Sequence, residues 1–267
     1  MSDPLDDYRA LNDPATRRQV ERRGGYFVVE GLLALEALLG SRYPIRSVLA
    51  TERRADRVSA LVAGRAPLVV RPEAEVAEVA GFDVHRGVLA AADRLPLPGA
   101  ADLVGAADLV VVVEGVTDHE NVGALFRNAA AFGAGAVLLD PTTADPLYRR
   151  SVRVSLGHVL RVPWTRVTPW PAAVRDLADQ GFAVLALTPA ADAEPIGRVA
   201  DALGRAAPRG TDGRRRVALV VGAEGQGLTE GAMADPARRV RIPLAPGVDS
   251  LNVATAAAIA FHRLALM

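Results

Sequence analysis

Four apolar runs limit what this 267-residue chain can fold into more than any other feature. The first reads LVVVVE over Leu109–Glu114, and similar runs follow at 136–139, 183–187 and 217–221. A strand that is apolar on both sides belongs in a parallel sheet with both faces covered, because a solvent-facing side would alternate with polar residues. Helical patterns at 122–132 and 172–180 separate the runs. We therefore predict an α/β fold built on a parallel sheet.

The N-terminal part of the chain predicts a second, smaller α/β layer. Short strands are expected at the start of the segment from Tyr26 and at 47–51, 67–70 and 88–92, with helices between them. Pro96, Pro98 and Gly99 then interrupt the pattern. We predict an N-terminal extension over 1–20, a small domain over 21–95, a linker over 96–107 and the parallel-sheet domain over 108–267.

Charge and residue counts exclude several classes of site. The 31 basic residues, all arginine, balance 31 acidic ones, so a nucleic-acid surface has to be a local patch. The absence of cysteine excludes disulfides, thiolate catalysis and Cys-ligated metal, and the 4 scattered histidines predict no metal site. The acidic N-terminal stretch is unlike a secretory signal, and no run is long enough to span a membrane. We expect a cytoplasmic protein without a membrane or metal partner.

Three loops at predicted strand ends carry unusual residues, and ligands of open parallel sheets bind at that edge. The first loop places Asn121, Gly123 and Arg127 where a helix opens after Glu114. An alternative interpretation gives Asn121 the role of helix N-cap, Gly123 a packing role and Arg127 a solvated position. From these residues alone, the two interpretations are about equally supported.

The other two loops follow the strands that end near Val221 and Ile242. GAEGQG at 222–227 provides glycines that let main-chain groups approach a ligand, but it lacks the ending of a phosphate loop and the spacing of a dinucleotide fingerprint. The last loop presents Ser250 and Asn252 before the C-terminal helix. Alternatively, Asp249 or Ser250 simply caps this helix and Asn252 is incidental.

In this order and on these elements, the three loops resemble the SpoU-type branch of the SPOUT superfamily, knotted methyltransferases that act on ribose 2′-hydroxyls of RNA. The resemblance covers roughly 108–267, and the preceding segment resembles the small ribosomal-protein-like substrate-binding domain of many members. It implies a C-terminal trefoil knot, S-adenosylmethionine as cofactor, RNA as partner and a homodimer. The extra domain favours ribosomal RNA over transfer RNA as the substrate.

Carried over residue by residue, the resemblance implies a catalytic and a cofactor-binding set. Ala223 stands where many members have Asn, a change that also occurs within the family. The implied catalytic residues are Asn121, Arg127, Glu224, Ser250 and Asn252. The implied cofactor-binding residues, which act mostly through main-chain groups, are Leu187, Gly222, Ile242 and Leu251.

The family arginine has been viewed as the base that accepts the hydroxyl proton. A guanidinium with a reference pKa above about 12 makes this demanding, so we favour Arg127 as an anchor for RNA phosphate and for the developing alkoxide. His119, near neutrality in pKa, is a tempting base but lies outside the motif. Other arginines are weaker candidates for phosphate contact: Arg17, Arg18, Arg22, Arg23, Arg53, Arg54, Arg149 and Arg150.

Two other functions were compared with the methyltransferase interpretation. A non-catalytic RNA-binding or assembly protein on the same fold would be expected to lose Arg127, Glu224 or Asn252, and none is lost. A nucleotide-binding enzyme is disfavoured because the phosphate fingerprint is missing.

The C-terminal helix predicts a homodimer as well, because a second face of this helix carries apolar and small residues: Val253, Ala256, Ala257 and Ala260.

Overall fold

The computed structural model describes residues 5–9, 11–12, 25–84, 86–206 and 216–265. The chain forms two compact units. The first unit comprises residues 1–96 and 146–161, and the second comprises 97–145 and 162–267. Within the described ranges, no helix is long and apolar enough to cross a membrane.

Strands and helices alternate along most of the described chain. The strands are β1 (Tyr26–Glu30), β2 (Ile45–Thr51), β3 (Leu68–Arg71), β4 (Val88–Asp93), β5 (Leu109–Glu114), β6 (Ala136–Leu139), β7 (Trp164–Arg166), β8 (Ala183–Leu187), β9 (Glu194–Pro195), β10 (Val217–Gly222) and β11 (Arg238–Arg241). The helices are α1 (Leu32–Leu39), α2 (Ala55–Val62), α3 (Glu73–Ala80), α4 (Ala100–Gly105), α5 (His119–Ala131), α6 (Arg149–Val154), α7 (Ala172–Asp179), α8 (Ile196–Ala206), α9 (Glu230–Met233) and α10 (Val253–Ala265).

The first unit contains a four-stranded mixed sheet in the order β1-β4-β2-β3. Strand β4 runs antiparallel to β1 and β2, and β2 runs parallel to β3. The inner strand β4 contains few polar residues, and its Val88–Ala92 stretch is buried. This burial agrees with a strand that has neighbours on both sides.

Described residues of the predicted N-terminal extension pack into the first unit. Tyr8 is fully buried; its hydroxyl donates to the Ser47 carbonyl oxygen at 2.8 Å and accepts from the Ala91 N–H at 3.3 Å. Burial raises the pKa of Tyr8 above its ordinary value. Leu5 and Leu11 lie in the same core. The extension prediction was therefore wrong here, because apolar side chains at intervals of three complete the core.

Residues 97–107 of the predicted linker 96–107 fold with the second unit instead. They include α4, which begins after Gly99, and the side chains of Val104 and Ala107 are buried in the core of the sheet. The two units separate between Pro96 and Leu97. Pro96 and Pro98 precede α4, so the turn residues lead into a helix and not into an extended linker.

The segment 146–161 joins β6 to β7 but belongs to the first unit. Helix α6 packs against β1, and Arg149 donates to the buried Glu30 carboxylate at 3.2 Å while stacking 4.0 Å over the Phe82 ring. The predicted domain 108–267 was thus wrong for this segment. Its apolar and arginine side chains contact residues of the first unit, and no local sequence pattern indicates these contacts.

The structure also bears on the weaker arginine candidates. Arg149 is held by Glu30 and Phe82 within the first unit, and Arg53 forms an exposed ion pair with Glu73 at 3.4 Å. Both guanidinium groups therefore have protein partners of their own. Four of the candidates lie outside the described residues: Arg17, Arg18, Arg22 and Arg23.

The second unit contains a seven-stranded sheet in which every strand pair is parallel. Its strand order is β7-β6-β5-β10-β8-β11-β9. Residues 110–113 of β5 are buried on both faces, as the continuous β-branched run predicts. The even-numbered positions Val110 and Val112 share a core with residues of α4 and α7. The predicted α/β fold with a parallel sheet is confirmed.

The C-terminal helix α10 is covered by its own chain to a greater extent than predicted. It packs against α5, α8 and β10, and the Asn128 side chain donates to the Ala254 carbonyl oxygen at 2.8 Å. Val253, Ala257 and Ala260, used to argue for a dimer, are buried within the chain. That part of the argument was wrong, because two neighbouring helices occupy the second apolar face.

A buried carboxylate follows β6. The Asp140 carboxylate accepts hydrogen bonds from the Thr142 and Thr143 hydroxyls, from the Thr143 N–H at 2.8 Å and from the Gly115 N–H at 3.1 Å. Burial raises the pKa of the carboxyl, but the hydrogen bonds from Thr142 and Thr143 outweigh burial, so the pKa lies below its ordinary value.

Replacing Asp140 with asparagine is expected to lower the free energy of unfolding by about 2 kcal/mol near neutrality, because the amide leaves buried donors unpaired. A depressed folded pKa means that the carboxylate contribution is present above the unfolded pKa of about 3.9 and is lost as pH falls through the folded value. In urea denaturation across acidic pH, the difference between wild type and Asp140→Asn should shrink below about pH 4. A difference that is constant with pH would contradict this.

Candidate active site

The first loop runs from β5 into α5 and is held by an aspartate rather than by Asn121. Asp118 is the N-cap of α5: its Oδ1 accepts from the Glu120 N–H at 2.8 Å and from the Asn121 N–H at 2.9 Å. The interpretation of Asn121 as the helix cap was therefore wrong. Its side chain is available for contacts with other loops.

The second loop, residues 222–229, folds back on itself at the end of β10; we call it the glycine loop. Ala223 and Gly227 form an antiparallel bridge, in which the Gly227 N–H donates to the Ala223 carbonyl oxygen at 3.0 Å. A Cβ placed on Gly222 would lie 2.6 Å from the Gly227 carbonyl carbon and 2.6 Å from the Leu228 nitrogen. The backbone can therefore close only because residue 222 has no side chain.

The third loop brings Asn252 to the start of α10. Its Oδ1 accepts from the Ala254 N–H at 3.0 Å and the Thr255 N–H at 3.2 Å, so Asn252 itself caps the helix. The alternative that Asp249 or Ser250 is the cap was wrong. Because the cap uses the amide oxygen, the amide nitrogen is directed away from the helix.

The Asn252 amide joins all three loops. Its Nδ2 donates to Asn121 Oδ1 at 2.8 Å and to Glu224 Oε1 at 2.7 Å, which uses both of its protons. The Val253 N–H also approaches Glu224 Oε1 at 3.4 Å. Three side chains from distant parts of the sequence thus form one connected network, which we call the amide network.

A cavity of about 560 Å³ lies between the glycine loop and the loop before α10. Glu224, Ser250 and Asn252 line it. The four residues that the resemblance implied for cofactor binding line it as well: Leu187, Gly222, Ile242 and Leu251. Sequence inspection missed other lining residues, including Thr188, Leu244 and Asp249, although all three follow strands whose ends were the expected location of the site.

Two implied catalytic residues are not part of the amide network. Arg127 is exposed on α5, does not line the cavity and forms no hydrogen bond or ion pair with any described residue. Ser250 is exposed and lines the cavity, but it has no hydrogen-bond partner in the described ranges. The guanidinium group of Arg127 is therefore available for an external anion.

Comparison with known proteins assigns the family. The model of the SpoU rRNA Methylase family matches residues 108–262, which is more than half of the chain. The chain belongs to the SpoU rRNA methylase family. The matched SpoU region begins at β5 and includes all three loops that meet at the amide network.

Related proteins extend over both units. An uncharacterized tRNA/rRNA methyltransferase of Mycobacterium tuberculosis is 44% identical over 260 residues, covering 97% of this SpoU chain and 87% of the relative. The 23S rRNA (guanosine-2′-O-)-methyltransferase RlmB of Ralstonia nicotianae is 32% identical over 185 residues, covering 68% of this chain and 69% of the relative. The family assignment is therefore supported by the whole chain as well as by its C-terminal part.

A solved structure shows the same fold. The AdoMet-bound rRNA methyltransferase of Sinorhizobium meliloti superposes with a TM-score of 0.78 and 24% identity, covering 97% of this SpoU chain and 93% of that one. At 24% identity, this similarity shows only that the two chains share a fold.

Proposed function

We propose that this protein transfers a methyl group from S-adenosylmethionine to a ribose 2′-hydroxyl of RNA, with ribosomal RNA favoured over transfer RNA. The observation that carries the proposal is the amide network, in which Asn252 joins Asn121 and Glu224 beside the cavity. Family membership and the 2′-O-methyltransferase relative support the reaction. The bound AdoMet of the Sinorhizobium meliloti protein supports the cofactor.

The cavity fits S-adenosylmethionine in size and chemistry. A volume of about 560 Å³ lies in the usual range for small-molecule sites. Leu187, Ile242 and Leu251 supply apolar contacts, and the close backbone at Gly222 leaves main-chain groups to bind polar atoms. When bound, the cofactor supplies an electrophilic methyl group. The residues of this chain must align the accepting hydroxyl with it and help remove the proton.

The amide network orients the Glu224 carboxylate and the Asn121 amide at the edge of the cavity. Because Asn252 is itself fixed by the N-terminus of α10, the network is preorganised before RNA binds. We assign Arg127 to RNA phosphate and to the alkoxide that develops as the hydroxyl loses its proton. Its guanidinium has no protein partner among the described residues, and its planar fork of N–H donors matches the geometry of a phosphate.

The first unit is assigned the role of a ribosomal-protein-like RNA-binding domain, and the second unit is assigned a C-terminal trefoil knot. The parallel sheet in the order β7-β6-β5-β10-β8-β11-β9 supports the second assignment through its likeness to SpoU-type structures. The rival function is a non-catalytic RNA-binding or assembly protein. It is disfavoured because Arg127, Glu224 and Asn252 are all present, and the last two are hydrogen-bonded.

The decisive experiment measures methyl transfer in vitro. Purified protein is incubated with tritiated S-adenosylmethionine and either ribosomal or transfer RNA from a strain that lacks the protein. Incorporation into ribosomal RNA, mapped to one ribose by its resistance to alkaline cleavage, is the expected result. Tight RNA binding without any incorporation would favour the assembly function, and methylation of a base would overturn the 2′-O assignment.

We also expect a homodimer in which the partner chain helps hold the RNA. The resemblance to the family supports it, and Ile259 on α10 and Val248 before it remain 38% and 50% exposed. Multi-angle light scattering at micromolar concentration should give twice the 28.0 kDa chain mass. Ile259→Arg should shift the mass toward the monomer. A wild-type mass of one chain throughout the concentration range would contradict the expectation.

A further inference from the structure

We propose that Glu114 is a positioning residue that holds the glycine loop in the shape that lines the cavity. The inference rests on the proposed function, because it concerns the cofactor site of the same unit. Glu114 is the last residue of β5 and is only 5% exposed. It is not among the residues that line the cavity, so its effect on the site is indirect, and its side-chain contacts direct that effect to the loop.

Glu114 binds both ends of the glycine loop. At the entrance, its backbone pairs in register with Gly222 of the neighbouring strand β10. At the exit, its Oε2 accepts from the Thr229 N–H at 2.9 Å and its Oε1 accepts from the Thr229 hydroxyl at 2.7 Å. One residue, through its backbone at the entrance and its carboxylate at the exit, therefore links the points where the loop leaves and re-enters the core.

Two further contacts make this anchor rigid. The Trp170 indole N–H donates to Glu114 Oε1, and Trp170 packs against the core of the sheet. The Thr229 hydroxyl also accepts from the Ala232 N–H at 3.3 Å and so caps α9. The Glu114 carboxylate thus ties the loop exit to the sheet and to the segment after β7, and the Thr229 hydroxyl ties it to α9.

Burying the carboxylate of Glu114 costs free energy, so its presence at this position needs an explanation. No arginine or histidine in the described part of the chain forms an ion pair with it, and all its donors are neutral. A buried carboxylate without a cation costs more than an apolar residue of the same size. It does, however, accept several hydrogen bonds at once and more strongly than an amide. The arrangement therefore favours precise placement of the loop over stability.

Placement of the loop matters because its residues serve the site directly. Gly222 lines the cavity with its backbone, and Glu224 at the centre of the loop accepts from Asn252. If the exit at Thr229 loosens, the cavity wall and the Glu224 carboxylate move together. Glu114→Gln tests this step, because glutamine keeps the size of the side chain but presents an N–H group to donors.

Asp140 provides a matched control on the adjacent strand. It is also a buried carboxylate at the carboxyl end of a sheet strand and is also satisfied by threonine hydroxyls and N–H groups. Its partners are Thr142, Thr143 and Gly115, and none of its hydrogen bonds goes to the glycine loop or to a residue that lines the cavity. Asp140→Asn therefore reproduces the loss of a buried charge without removing a hydrogen bond from the loop.

The experiment compares the two variants of the full chain by hydrogen exchange and by calorimetry with S-adenosylhomocysteine. The Gly227 and Thr229 N–H groups are hydrogen-bonded, so peptides over 222–229 report on the loop in the ligand-free protein. In Glu114→Gln, these peptides should exchange at least about tenfold faster and the Kd should rise about tenfold, as for loss of one strong hydrogen bond. In Asp140→Asn, only peptides over 140–144 and peptides that contain the Gly115 N–H should change, and the Kd should stay within about twofold.

Thr229→Ser should match wild type in both exchange and Kd. Thr229→Val should raise both, but less than Glu114→Gln does. These two variants test the inference if Glu114→Gln does not fold. Unchanged exchange over 222–229 in both Glu114→Gln and Thr229→Val would overturn the inference, as would an equal rise in Kd in Asp140→Asn. If wild type does not bind S-adenosylhomocysteine, the proposed function fails. The exchange measurement then still decides whether Glu114 holds the loop.

Discussion

Replacing Arg127 with alanine is expected to reduce methyl transfer to a known RNA substrate by at least about a hundredfold, the scale for loss of one preorganised charged donor. Affinity for S-adenosylhomocysteine should stay within about twofold, because Arg127 lies outside the cavity and outside the amide network. Single-turnover methylation and titration calorimetry on the same preparations measure the two effects separately.

Arg127→Lys should recover little of the rate, since an ammonium group does not reproduce the two-pronged contact of a guanidinium with phosphate. Arg175, exposed on α7 in the same unit, provides a control arginine, and Arg175→Ala should leave rate and affinity unchanged. Near wild-type turnover in Arg127→Ala would show that Arg127 is an ordinary solvated residue on the surface of α5. Loss of cofactor binding in a folded Arg127→Ala protein would mean that the site is real but the role assigned within it is wrong.

Gly222→Val is expected to weaken S-adenosylhomocysteine binding by at least about a hundredfold, to the limit of calorimetric detection. A Cβ at this position would lie 2.6 Å from two backbone atoms of the glycine loop, at Gly227 and Leu228. Backbone cannot move aside as a flexible side chain can, so the loop has to open and the cavity wall shifts. The affinity is measured by calorimetry and the integrity of the fold by far-UV circular dichroism.

Gly105 supplies the control for this substitution. It ends α4 in the same unit, and a Cβ there would meet no atom within 4 Å. Gly105→Ala should therefore bind S-adenosylhomocysteine like wild type. Wild-type affinity in Gly222→Val would show that the loop tolerates a side chain and that the close approach at this residue is unimportant for the site.

Sequence patterns alone predict much of the second unit. Continuous apolar runs locate β5, β6, β8 and β10 within a residue or so, because strands buried on both faces leave no polar alternation. The shorter strands β7 and β9 and the helices α4, α6, α8 and α9 were missed. All of these segments except α8 are short, and α4 lies among prolines that by composition favour a loop.

Residue types and order also pointed to the three loops of the candidate site, but they did not predict the local roles of the loop residues. Asn121 and Asn252 each fit a helix start, and composition does not distinguish a capping side chain from one that binds another loop. The structure assigns the cap of α5 to Asp118 and shows that Asn252 both caps α10 and reaches Asn121 and Glu224.

Periodicity and residue type over a few neighbours are enough to predict the fold class, the strands of the buried sheet and the three loops of the candidate site, because these features are local. Three features required the folded chain: the amide network, whose members are 28 and 131 residues apart, the inclusion of 146–161 in the first unit, and the burial of the second face of α10. Such contacts depend on which elements pack together, and the free energy of packing is shared among residues that no local pattern relates.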